Sequence, residues 1–181
     1  MEGVEFYIIN SQTCISRDGV SQPLTQADRD VIEFMMEQLT KYYPGAVARL
    51  KEWASGSEKN KWFYEFRIVD RFIRCNFGEA DFLRPDVDDL GMFQFEEVKC
   101  PLRGICEDEG VICKPEMYTG LTPEEQRVAK LYAKGLLPGE IAKRLGKAEK
   151  TCKVQLWKAC RRLHLPHPRW LIRLFSIYNI V

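Results

Sequence analysis

Hydrophobic and polar positions along the chain change pattern near residue 118, and each side predicts its own elements. Val4-Glu5-Phe6-Tyr7-Ile8-Ile9 is β-branched and aromatic and predicts a strand, followed by the turn residues Arg17-Asp18-Gly19. Thr25 is placed to cap a helix with apolar positions Val31, Ile32, Phe34, Met35 and Leu39, ending before Pro44-Gly45. A second helix, roughly Pro44 to Ala54, opens on proline and stops in Ser55-Gly56-Ser57. Lys61 to Phe77 is dense in Trp, Phe, Tyr, Ile and Val with charges interleaved. It predicts one long strand or a hairpin bent at Val69-Asp70-Arg71. Arg84 to Gly91 is an acidic loop containing Pro85, Met92 to Val98 alternates as a short strand would, and Cys100 to Pro115 is a loop rich in Cys, Pro and Gly. This pattern predicts a small α+β domain.

Past Tyr118 the period becomes helical. Thr122-Pro123-Glu124-Glu125 has Thr at the cap, Pro at the first helical position and Glu at the third. Val128, Leu131 and Tyr132 follow at helical spacing, and Gly135 closes that helix. Pro138 opens a second helix whose Ile141, Ala142 and Leu145 face inward, and Gly146 makes a tight turn. A third helix is expected from about Ala148 to Leu163, burying Cys152, Leu156, Ala159, Cys160 and Leu163 and presenting Lys150, Lys153, Gln155, Lys158, Arg161 and Arg162. The end of the chain is apolar: Trp170, Leu171, Leu174, Phe175, Ile177, Tyr178, Ile180 and Val181. It predicts a fourth helix that packs on the first helix and the N-terminal domain, or a dimer face.

Charge sharpens the division. Residues 119–181 carry thirteen Lys/Arg against four acids, a net +9, whereas residues 1–118 carry fourteen against twenty-two, a net −8. The whole-chain value of +1 hides this dipole. A basic module tied to an acidic one suits a nucleic-acid binder with an attached regulatory domain. The expected architecture is an α+β domain at 1–118, with a sensor or regulatory role, followed by an all-α four-helix helix-turn-helix domain at 119–181. A hydrophobic share of 45% and a charged share of 29% are those of an ordinary globular protein. No apolar run reaches membrane-spanning length and the acidic start has no leader pattern, so a cytoplasmic protein without membrane contact is expected.

The segments Gly120 to Glu125, Ala133 to Leu136, Glu140 to Gly146, Glu149 to Lys153 and Arg161-Arg162-Leu163 together resemble the C-terminal helix-turn-helix of LuxR/GerE-type transcription regulators. The resemblance covers about a third of the chain. It implies that the third helix enters the major groove of double-stranded DNA, that the fourth mediates dimer contact, and that the N-terminal domain senses a signal. By that similarity, base or phosphate contacts fall on Lys150, Thr151, Lys153, Val154, Gln155, Lys158 and Arg161, and a homodimer would use Trp170, Leu174, Phe175 and Tyr178. The chain departs from the family where Lys147 and Ala148 replace the usual Ile and Ser, and where Val154 and Gln155 replace Asn and His. Gln pairs with adenine and Val with a thymine methyl, so the target sequence should differ from the family norm.

Seven cysteines in a cytosolic chain suggest thiols or metal ligands rather than disulfides. Cys152 and Cys160 read as core residues, and Cys14 stands alone. Cys75, Cys100, Cys106 and Cys113 lie in or beside turns with Gly and Pro. They could close a tetrahedral zinc site, hold an iron–sulfur cluster, or remain reduced structural thiols. The five- and six-residue gaps are wider than the two-residue pairs of common zinc modules. No paired acids suit a phosphoacceptor domain, and the only histidines, His164 and His167, flank Pro166 rather than a nucleophile. The reading is a non-enzyme. Three functions stay open: a DNA-binding transcription regulator, a sigma- or anti-sigma-like module contacting RNA polymerase, and a metal or redox sensor with DNA binding as output.

Overall fold

The computed structural model describes residues 4–17, 19–78, 85–88 and 91–177. It divides into two compact units, Met1–Glu116 and Met117–Val181. The first begins with an antiparallel meander of β1 (Glu5–Ile9), β2 (Gln12–Arg17) and β3 (Val20–Pro23), in that order across the sheet. Asn10 and Ser11 join β1 to β2 with φ of 49° and 63°, the two left-handed residues that a tight hairpin matched to strand twist requires. Three helices follow: α1 (Arg29–Tyr42), α2 (Pro44–Ala54) and α3 (Lys61–Asn76). Thr25 does not cap α1. Asp28 holds that position, and its carboxylate accepts from the Thr25 amide at 2.7 Å and the Thr25 hydroxyl at 2.9 Å.

The expected strand at 61–77 is a helix. Asn60 caps it, its side chain accepting from the Phe63 amide at 3.2 Å. Ile68, Val69, Phe72, Ile73 and Asn76 are buried, an i, i+1, i+4, i+5, i+8 stripe that only a helix can turn to one side. The aromatic and β-branched content suggested a strand, but packing of this stripe on β1, β2, α1 and α2 outweighs so weak a propensity. Met92 to Val98 forms no strand either. It contributes one isolated bridge, Val87 to Phe93, beside a second from Val4 to Val87. The core joins Phe6, Tyr43, Phe72, Phe77, Phe93 and Phe95, whose ring contacts span 5.4 to 6.3 Å between centroids.

The second unit is all helical: α4 (Pro123–Ala133), α5 (Pro138–Leu145), α6 (Glu149–Arg162) and α7 (Arg169–Ile177). α4 opens with a full capping box. The Thr122 hydroxyl accepts from the Glu125 amide at 3.3 Å, and the Glu125 carboxylate accepts from the Thr122 amide at 3.0 Å. α4, α5 and α6 end alike, each on a left-handed residue: Gly135 (φ 90°), Gly146 (φ 63°) and His164 (φ 53°). The next amide then reaches back five residues, to Leu131 at 3.2 Å, Ala142 at 2.9 Å and Cys160 at 2.8 Å. α6 packs on α4 and α5, and α7 packs on α4. The interior is Val128, Ala129, Ile141, Ala142, Cys152, Leu156, Ala159, Cys160, Leu171 and Phe175, while Leu163 is half-buried. No described helix is long and apolar enough to cross a membrane.

Candidate nucleic-acid interface and cysteine cluster

α6 has two faces. Cys152, Leu156, Ala159 and Cys160 point into the unit, and burial of that stripe fixes the rotation of the helix. The same rotation leaves Lys150, Thr151, Lys153, Val154, Lys158 and Arg161 exposed. Gln155 differs from the other expected readers. It is half-buried, and its amide oxygen accepts from the Lys147 ammonium at 3.4 Å. Lys147 also pairs with Glu124, and that contact holds the Glu124 carboxyl below its ordinary range. Lys147 thus ties the turn before α6 to α4 and to the side of α6, a role its place between Gly146 and Ala148 did not signal. Ala148 offers no side-chain cap. Its carbonyl accepts from the amides of Thr151 and Cys152 at 3.0 and 3.2 Å.

Two further residues shape this face. Trp157 is exposed beside Lys153 and Arg161, with its ring edge-on to His167 at 5.6 Å. Arg162 turns back instead: its Nε lies 3.0 Å from buried Glu125. Burial raises the Glu125 pKa, but hydrogen bonds from Thr122 and the Arg162 charge more than offset it, leaving the carboxyl below its ordinary range. Arg162 therefore serves the scaffold. On α7, Leu171 and Phe175 are fully buried, so Phe175 has no surface left for the dimer contact expected of it. Trp170 stays exposed, Leu174 half-buried, and Tyr178 lies outside the described residues.

In the first unit the structure brings Cys100, Cys106 and Cys113 to one concavity, while Cys75 stands in the last turn of α3. All seven cysteines are free thiols. Cys100, Cys106 and Cys113 line one small concavity with Leu102, Arg103 and Glu109, and Cys75 lies near enough to Cys113 for the two thiols to act on each other's ionisation. Burial, with Cys113 beside it, pushes the Cys75 thiol up to about 12, and burial raises Cys113 as well. Among the described residues, the set of three metal-type ligand atoms lying within 4.8 Å of one another is a different one, Glu5, Asp86 and Glu96. Those acids come from three distant segments, which no spacing in the sequence could announce. Asp86 accepts from the Phe6 amide and Glu96 from the Gly78 amide, each at 2.6 Å, so both fasten backbone.

No family model, no curated protein and no solved structure matches the chain.

Proposed function

We propose that this protein is a transcription regulator that binds double-stranded DNA through the outer face of α6, as a helix-turn-helix unit of the LuxR/GerE type does. The observation that carries the reading is that face: Lys150, Lys153, Lys158 and Arg161 are exposed around Thr151 and Val154, on a helix locked from behind by its buried stripe. A single helix fits the major groove, where base edges are read, while flanking cations position it on phosphates. The net +9 of residues 119–181 supplies the sequence-independent attraction that such binding needs. Thr151, Lys153 and Val154 occupy the early turns, from which base edges are reached, and Lys158 and Arg161 suit the backbone. Gln155, tethered by Lys147, reads bases only if that tether is exchanged for a base. The acidic first unit is the regulatory partner of this output, and the protein works in the cytoplasm by binding rather than catalysis.

The test is selection of duplexes from a random pool by the full-length protein. A shared sequence should be enriched, and Val154→Ala with Lys153→Ala should weaken or shift it. Recovery of unenriched DNA, together with capture of RNA polymerase in the absence of DNA, would transfer the function to a sigma-like interaction module.

A further inference from the structure

Cys75 sits in the last turn of α3, and its neighbour Asn76 decides what it faces. Asn76 is fully buried. Its Nδ2 donates to the Phe72 and Ile112 carbonyls, both at 2.9 Å, and its Oδ1 accepts from the Lys114 amide at 2.6 Å. The last two bonds straddle Cys113, so one side chain holds Cys113 in register against Cys75. The loop from Cys100 onward is then folded by short-range turns. The Cys100 carbonyl accepts from the Arg103 amide at 3.1 Å, the Cys106 amide donates to Leu102 at 3.0 Å, and the Asp108 carbonyl accepts from Ile112 at 2.9 Å. These turns bring Cys100 and Cys106 to the concavity that Cys113 lines.

Apolar burial does not explain why the loop takes this shape. Ile105 is 77% exposed, Leu102 48% and Val111 39%, with Ile112 alone of these apolar side chains inside. A turn-rich segment with so little core needs another source of order, and metal ligation by thiolates is a familiar one. Arg103 lines the concavity paired with Glu109 at 3.4 Å, and Arg71, one helical turn before Cys75, pairs with Asp108 at 3.6 Å, so this side of the loop is held by ion pairs as well.

We propose that Cys75, Cys100, Cys106 and Cys113 bind one Zn²⁺ and that this centre fastens the exit loop to the end of α3. Four thiols release their protons to solvent as four Zn–S bonds form, and no redox partner is involved. Zinc–sulfur bonds of about 2.3 Å require the sulfurs to lie roughly 4 Å apart. Ligation therefore draws the 100–106 turn and Cys113 inward toward Cys75. The small concavity suits a single ion better than a cluster that must also accommodate inorganic sulfide.

The experiment uses the full-length protein purified without chelator, with metal content and thiol reactivity measured together. The expected result is a colourless protein holding one zinc per chain. Four thiols should become reactive only after chelation, and the 100–113 loop should then become open to protease. Cobalt substitution should give the visible bands of tetrahedral thiolate ligation. Cys106→Ser and Cys113→Ser should lose the metal, whereas Cys14→Ala should keep it. If the serine variants fail to fold, the chelator experiment on the parent protein decides. Metal-free protein with unchanged thiol reactivity, a Cys75–Cys113 disulfide, or brown iron-bearing protein with acid-labile sulfide would each overturn the proposal. None of these readouts involves DNA, so they stand or fall apart from the regulatory reading.

Discussion

The first unit gathers its core from afar: Phe6, Tyr43, Phe72, Phe77 and Phe93 meet although they span most of its length. In the second unit, the helix starts and stops are written within a few residues of themselves. Thr122 and Glu125 start α4, Gly135 stops it, and Gly146 stops α5. The contrast shows two ways to order a chain. Locally specified helices can present an exposed face, as α6 does, because burial of the opposite stripe fixes the helix. A core assembled from distant segments instead leaves loops between them, and those loops need fasteners of their own, such as Asn76.

The largest effect should come from chelating the Zn²⁺ proposed for the first unit. Structural zinc in small modules is worth roughly 10 kcal/mol of apparent binding free energy. Chelation should therefore abolish protection of the 100–113 loop, while amide exchange in α4 to α6 stays as it was. Exchange rising equally in both units would break the distinction. Next in size is Phe72→Ala, which opens the aromatic core and should cost about 3–5 kcal/mol in denaturant melts. Asn76→Ala should follow at roughly 2–3 kcal/mol, because it leaves the Ile112 carbonyl and Lys114 amide without their buried partner.

Smaller effects belong to the second unit. Thr122→Ala should cost about 1 kcal/mol by removing half of the capping box. Glu125 adds a pH dependence. Its folded pKa lies below the ordinary 4.5, so its contribution is complete above 4.5 and is lost as the pH falls through the depressed folded value. Glu125→Gln should flatten stability against pH in that acid window and leave neutral-pH behaviour less affected. The smallest expected change is a gain. His164 holds a left-handed conformation where α4 and α5 place glycine, so His164→Gly should stabilise by about 1 kcal/mol. A loss there would mean that the contact of His167 with Trp157 depends on the same turn.

The same contrast explains what the sequence made legible. The boundaries of α4, α5 and α6 could be read to within a residue or two, because caps and left-handed glycines are short-range signals. The inward stripe of α6 and its exposed basic residues followed from them. The α3 segment has the sequence look of a strand because Trp62, Phe63, Tyr64, Phe66, Ile68 and Val69 favour strands individually. Its helical stripe becomes decisive only once the sheet and the other two helices are there to receive it. The cysteines of the loop could be named but not placed, since it is Asn76, an ordinary polar residue in sequence, that sets Cys113 against Cys75. The commitment of Arg162 to Glu125, the tether on Gln155 and the burial of Phe175 likewise depend on contacts between helices.

Whether the outer face of α6 binds duplex DNA is decided by the salt dependence of affinity. Binding of the full-length protein to duplex DNA should weaken steeply with salt, with a logarithmic slope of about −0.9 for each phosphate neutralised. Lys158→Ala combined with Arg161→Ala should make that slope shallower by about 2, with the fold intact. An affinity that ignores salt, or a slope that both substitutions leave unchanged, would show that this face is not where DNA binds.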